Sequence, residues 1–543
     1  MHRIKTLLLI LLVGGAIALA GRAQPAFSNA VNLGMVSFNS LHQASGVTAS
    51  CNNPGVLWTH NDAGDTARIF AIDTNGNHLA TFDLTNATHV DYEDIALGPG
   101  PLTNVQYIYV GDIGDNNSSR SNIVIYQAPE PAVYLRWATN SNTQDLPGVR
   151  AITFVYPDGP RNAEALLLDP ITHDLFIASK ETNLSRIYVA TRAQLDAGGT
   201  NTLTFVRQID FNLASGGAVS PIGGEIVLRQ EDFARLWIRA PGQTVSNALG
   251  GTPIPIPVVG RTNEPNGEAI GFDTIGRGYF TLSDSASSQP LYYFDRATPY
   301  AIKPPRTLVT AGSTWRYLDT GTNLGTGWRT NGFNDSGWSS GEAQFGYGDG
   351  DEETVVSYGP SKKNKFITTY FRKQFVTANL ANISRLELKL VFDDGAAVFL
   401  NGTQIALMNL TNNAAYNSFA TNTQDLLQAT WFTFPVNPTL LRNGTNVLAA
   451  EVHQATTNSP DLSFDAQLVA YDLIAPEILS ESCQPGGAFA FTFLATGTNA
   501  MIEMATNLPN WSPLTSVPIT NGLGSFVDRG TTNGPRRYYR LRQ

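Results

Sequence analysis

The chain has 543 residues, 42% of them hydrophobic and 10% aromatic, with a formal net charge of −10. That length exceeds what one core supports and calls for about three domains, while the apolar content excludes a disordered chain. An acidic balance without any dense Lys/Arg patch argues against nucleic acid or an anionic membrane as partner.

The N-terminus reads MHRIKTLLLILLVGGAIALAGRAQPA, a basic start followed by an apolar run broken at Gly14 and Gly15. Small-x-small triplets follow at Ala18-Leu19-Ala20 and Gly21-Arg22-Ala23, so residues 1–23 are expected to be a signal peptide. The mature protein is then extracellular, periplasmic or at the cell surface. The competing reading, an N-terminal anchor, usually needs about 20 unbroken apolar residues, and no later stretch is long and apolar enough to span a membrane. Two cysteines, Cys51 and Cys483, are too few for a Cys-based zinc site; whether they pair stays open.

From Ser45 to Arg296 one phrase recurs. A small or acidic residue opens an apolar strand, a second strand ends in polar residues, and an aromatic third follows. The openings are SGVTAS, YEDIAL at Glu93, AEALLL at Glu164, GGAVSP and GEAIGF at Glu268, spaced by roughly 50 residues, which is the period of a propeller blade. Residues 31–298 are therefore expected to form a five-bladed β-propeller. Val31–Asn39 supplies the missing fourth strand of blade five and so closes the ring. The long second interval holds EPAVYLRWATNSNTQDLPG, which is either an insertion or a sixth blade.

The span from Trp58 to Asn116 concentrates acids in a chain that is only 15% charged: Asp62, Asp65, Asp73, Asp83, Asp91, Glu93, Asp94, Asp112 and Asp115. First-strand starts and second-strand ends share one rim of a propeller, and Glu93, Glu164 and Glu268 hold the same place in three repeats. Converging carboxylates raise one another's pKa or require a cation, and a hard oxygen-seeking ion such as calcium satisfies several at once. The metal candidates are Asp62, Asp91, Glu93, Asp112, Asp115, Glu164 and Glu268. Asn61, Asn116, Lys180 and Arg229 are candidate ligand contacts. The same acids could instead cap turns and bond inter-blade amides, or Glu93, Asp94, Asp112, Asp115 and His60 could perform acid/base chemistry. No G-x-S-x-G elbow, P-loop or H-E-x-x-H is present.

THNDAGD, DYEDIALGPG, VGDIGDN with IYQAPEP, and NGEAIGFD with GRGYFTLSD resemble a group of exported bacterial propeller proteins carrying this motif series. A weaker likeness is to esterase-like and calcium-dependent propeller phytases, which pool carboxylates at a channel mouth. Their Asp-Asp-Pro-Ala motif has no clear counterpart here, and Lys180 and Arg229 are few cations for a polyphosphate.

After a Pro-bearing linker, residues 308–472 alternate apolar runs with turns, as in VFDDGAAVFLNGTQI, where Asn401-Gly402 sets a tight hairpin. This segment resembles the galactose-binding-like jelly-roll of secreted hydrolases. Trp328, Trp338 and Tyr347 then stand either as stacking platforms for sugar rings or as packing between two sheets. Residues 475–543, with TNLPNW and a closing YYRL, resemble a small Greek-key or fibronectin-like C-terminal module of exported proteins. The chain is thus expected to be all-β, and either a calcium-holding binding or scaffold protein for an extracellular ligand such as a glycan, a metal-assisted hydrolase of phosphate esters or glycosides, or cell-surface architecture.

Overall fold

A computed structural model describes residues 7–9 and 24–542, apart from 140, 241, 286–287, 299–301, 425, 473–475, 484–487, 496–498, 508–509, 520–522 and 530–536. Of the expected signal peptide, only the backbone of Leu7–Leu9 falls among these residues.

Five sheets follow one another between Ala44 and Phe294. Their first strands are Ala44–Ala49, Tyr92–Pro99, Ala163–Leu168, Gly216–Val219 and Gly267–Phe272. Each lies against the next, and the fifth lies against the first. The ring is a five-bladed propeller. Small residues permit the close approach at its centre: a Cβ on Gly271 would collide with the Val47 carbonyl, and one on Gly216 with the Glu268 carbonyl. Val31–Val36 pairs antiparallel with Gln289–Phe294 as the outer strand of blade five, so the ring closes through the N-terminal segment as expected. No sixth blade occurs among the described residues. The insertion contributes Asn142–Leu146, which adds in parallel to His78–Leu84 at the edge of blade one, leaving no further sheet for it to build.

Two six-stranded sheets form the sandwich that follows, one centred on Ile383–Asp393 and Leu462–Asp472, the other on Thr368–Thr377 and Gly444–His453. Trp328 is fully buried, Trp338 and Tyr347 nearly so. The Trp328 ring meets Tyr370 edge to face at 4.9 Å and donates its indole N–H to the Gly325 carbonyl. The stacking-platform reading of these three residues is therefore corrected: burying large aromatic surface stabilises the sandwich and leaves no free face for a sugar. A last pair of small sheets packs around Phe489, Phe491, Phe493 and Tyr539.

Propeller and sandwich are joined by buried polar contacts. Trp431 Nε1 donates to Asn53 Oδ1 at 2.9 Å, Gln467 Nε2 to the Asn52 carbonyl at 3.0 Å, and single bridges tie Val105 to Phe432 and Pro131 to Thr430. Cys51, in the same loop as Asn52, carries a free thiol.

Candidate metal centre at the propeller mouth

The three recurrent glutamates sit on β-bulges. Pairing with the second strand passes from Tyr92 to Asp94, from Ala163 to Ala165 and from Gly267 to Ala269, skipping Glu93, Glu164 and Glu268 in turn. In blade one it skips Ser45 and Gly46. A bulge leaves its extra residue out of the ladder and re-aims the side chain, here toward the common axis: one carboxylate oxygen from each glutamate lies within 4.8 Å of the others. The second strands contribute the residue just past the last paired one, Asp62 in blade one, Lys180 in blade three and Asp284 in blade five. Asp284 lies outside the metal set that the sequence suggests, although its place in the repeat, matching that of Asp62, marks it.

A second triad shares Glu93: oxygens of Asp62, Asp91 and Glu93 also lie within 4.8 Å of one another. Gly114 leaves the space for this, since a Cβ there would collide with Glu93 Oε1 and Asp91 Oδ2. Lys180 Nζ pairs with Glu164 Oε2 and stands 3.6 Å from Glu268 Oε1. Asn162 Nδ2 donates to Glu164 Oε1 at 3.2 Å, and Ser45 Oγ lies 3.2 Å from Glu268 Oε2. Glu93 is 3% exposed, and no donor among the described residues reaches its carboxylate. Asp62 Oδ1 is likewise shielded from solvent without a partner.

Burial, and then Glu164, Asp62, Glu268 and Asp91, push Glu93 far above the usual carboxylate range. Glu268 rises for burial and then Glu164. Glu164 rises through burial against the pull of Lys180. Asp91 is raised to about 6, by burial and then Asp62, and Asp284 to about 7, again by burial and then Asp62. Burial alone would lower the Lys180 ammonium, but Glu164 and Glu268 together outweigh it and raise it. Six carboxylates thus face one ammonium, and protons or a metal cation must supply the missing positive charge.

The remaining candidates lie outside this convergence and have structural work. Asp112 accepts the N–H groups of Val90 and Asp91 and pairs with Arg120 at 2.8 Å, fixing the loop that presents Asp91. Asp115 accepts the N–H groups of Ser119 and Arg120. Both are therefore corrected from metal ligand to structural acceptor: Asp115 caps its own turn, a role that short carboxylates fill, and Asp112 holds the chain segment before Glu93. Asp94 is fully buried and bonds the amides of Ile95, Leu166 and Gly217, stapling blades two, three and four. His60 is buried with Nδ1 on the Asn61 carbonyl; burial pushes its imidazole down to about 4, and a Cβ on Gly46 would press against its Nε2. Neither has access to a substrate, so their catalytic reading is corrected too. Asn61 Oδ1 holds the N–H groups of His42 and Gln43. Arg229 is locked to Glu264 at 2.7 Å with both side chains fully buried. Asn116 is exposed and accepts from Asn162. Among the candidate ligand contacts, Lys180 is the one the fold brings to the centre.

A third acidic triad, Asp349, Asp351 and Glu352, lies in the sandwich and is consumed locally. Glu352 accepts the N–H groups of Asp349 and Gly350, and Asp349 accepts from Gln428.

No protein-family model matches the chain, and no curated protein matches it. Among solved structures, a calcium-binding mutant of Bacteroides uniformis β-glucuronidase 2 is 14% identical over 41% of this chain and 28% of its own, with a TM-score of 0.23. A β-glycosidase from Bacteroides vulgatus is 14% identical over 41% and 29%, with a TM-score of 0.21. A glycosyl hydrolase family 2 member from Bacteroides cellulosilyticus is 11% identical over 44% and 31%, with a TM-score of 0.24. The chain spans less than a third of each of these proteins, and likenesses this weak bear on neither its fold nor its activity.

Proposed function

We propose that the propeller mouth holds a divalent cation, calcium, and that the chain is an exported binding protein whose metal-bearing mouth meets an extracellular ligand, with a glycan as the ligand class. The observation that carries this reading is Glu93, a buried carboxylate without a donor, shared by two triads of converging oxygens. The donor set is all carboxylate oxygen, with no His or Cys, which suits a hard ion of flexible coordination such as calcium over zinc or copper. The basic and apolar N-terminus supports export.

A second reading, metal-assisted hydrolysis, draws on Asp91 and Asp284, which are half-buried and raised to about 6 and about 7, near where a general acid or base works best. Metal analysis of the purified protein, calcium calorimetry and thermal melts with and without chelator test the first reading. At saturating calcium a stabilisation of about 5–10 °C is expected, and Glu93→Gln should lose it. No calcium uptake together with a melt indifferent to chelator would overturn the reading. Turnover of phosphomonoester or glycoside substrates that disappears in Asp91→Asn would favour the hydrolase.

A further inference from the structure

The two carboxylate triads at the mouth overlap in one residue. Asp62, Asp91 and Glu93 form one, Glu93, Glu164 and Glu268 the other. A carboxylate common to two oxygen sets has the placement that a bridging ligand needs in a two-ion centre, in which cations stand about 3.5–4 Å apart. The halves are nevertheless filled differently. In the second, Lys180 Nζ pairs with Glu164 Oε2 and lies 3.6 Å from Glu268 Oε1, while Asn162 and Ser45 bond the outer oxygens of the same two glutamates. In the first, no cationic side chain among the described residues forms a direct ion pair with the triad; Lys180 and Arg120 act on Asp62 and Asp91 only at longer range. Asp62 Oδ1 is shielded from solvent without a partner, and Glu93 is a buried residue whose carboxylate meets no donor among the described residues. Arg68, the nearest arginine in sequence, is held by Asp65, and Arg120 is engaged with Asp112 and the Gly114 carbonyl.

We propose that the mouth is built on the plan of a carboxylate-bridged two-ion centre in which Lys180 stands in for the second ion, so that the protein binds one divalent cation, at Asp62, Asp91 and Glu93, and carries a latent second site at Glu93, Glu164 and Glu268. The inference rests on the calcium reading above. An ammonium supplies a single positive charge at a fixed place and cannot leave, so Glu164 and Glu268 keep one compensating charge between them whether or not the metal is present. The dissociable ion is confined to blades one and two, beside the half-buried Asp91. Lys180 is a positioning residue here, acting through the glutamates it holds.

The test is calcium stoichiometry by calorimetry and by metal analysis after gel filtration at pH 8, on the full chain. One calcium per chain is expected for the wild type and for Lys180→Arg, which keeps the charge. Two are expected for Lys180→Met, with the second ion raising the melting temperature of that variant further than calcium raises that of the wild type. Lys180→Met combined with Glu164→Gln dismantles the latent site and should return to one ion, which also serves if the single variant folds poorly. Two ions in the wild type, or one in Lys180→Met, would overturn the inference and leave the calcium reading intact. No ion in any form would remove both.

Discussion

Glu93 and Asp94 are adjacent and both buried, and their surroundings separate them. The bulge turns Glu93 to the axis among other acids, whereas Asp94 faces the inter-blade seam and meets three backbone N–H groups. A buried acceptor with three donors is structural: Asp94→Ala would strand those amides and should cost about 2–4 kcal/mol in a denaturant melt, with calcium affinity in calorimetry unchanged. A loss of calcium binding that exceeded the loss of stability would place Asp94 in the site after all. The repeat pattern marks Glu93, Glu164 and Glu268 because they recur at one place. It does not separate Asp91 from Asp112 or Asp115, since a short carboxylate beside Gly-rich turns serves equally as ligand or cap, and only the turn's hydrogen bonds decide. Trp328 is a similar case, because an aromatic among turn residues has the same local signature whether it faces solvent or core.

The elements legible from the chain are those with strong alternation or aromatic runs, the first three strands of every blade. Asn142–Leu146 is not among them, because NTQDL has no apolar alternation; it is held by parallel pairing to an edge formed about 60 residues earlier, a long-range interaction that local propensity does not encode. Val31–Val36 could be assigned because a ring with a three-strand blade lacks a partner for its outer edge. Its role can be measured. A chain beginning at residue 37 leaves Gln289–Phe294 as an open edge, so it should melt about 10 °C or more below the full chain and elute as larger species in gel filtration. A peptide of residues 24–40 supplied in trans should restore the melting temperature by strand addition. A truncated chain that melts and elutes like the full one would show the closing strand to be dispensable.

At the scale of the molecule, propeller and sandwich share a buried seam that a Pro-bearing linker would not lead one to expect, because its contacts pair residues hundreds of positions apart, such as Asn53 with Trp431. Asp465 marks the seam electrostatically. It is fully buried, accepts the N–H groups of Gly312 and Ala466, and lies beside Tyr134 of the propeller insertion; burial pushes its carboxyl up to about 7, against the opposing pull of those hydrogen bonds. The ordinary value of 3.8 applies once the chain unfolds. Between those two values the folded state holds the proton and the unfolded state has released it, so stability falls as pH rises from about 4 to about 7 and changes little beyond either end. Asp465→Asn keeps an acceptor for Gly312 and removes the titration. Denaturant melts of both proteins at intervals from pH 4 to pH 8 should therefore coincide most closely at the acid end and diverge upward, with the Asn variant the more stable at pH 8 by at most about 4 kcal/mol. The difference between the two proteins isolates Asp465 from the mouth carboxylates, which titrate equally in both. A constant offset across the range would mean that the Asp465 carboxyl is ionised in the fold, and that the seam is held by its charge instead of tolerating its proton.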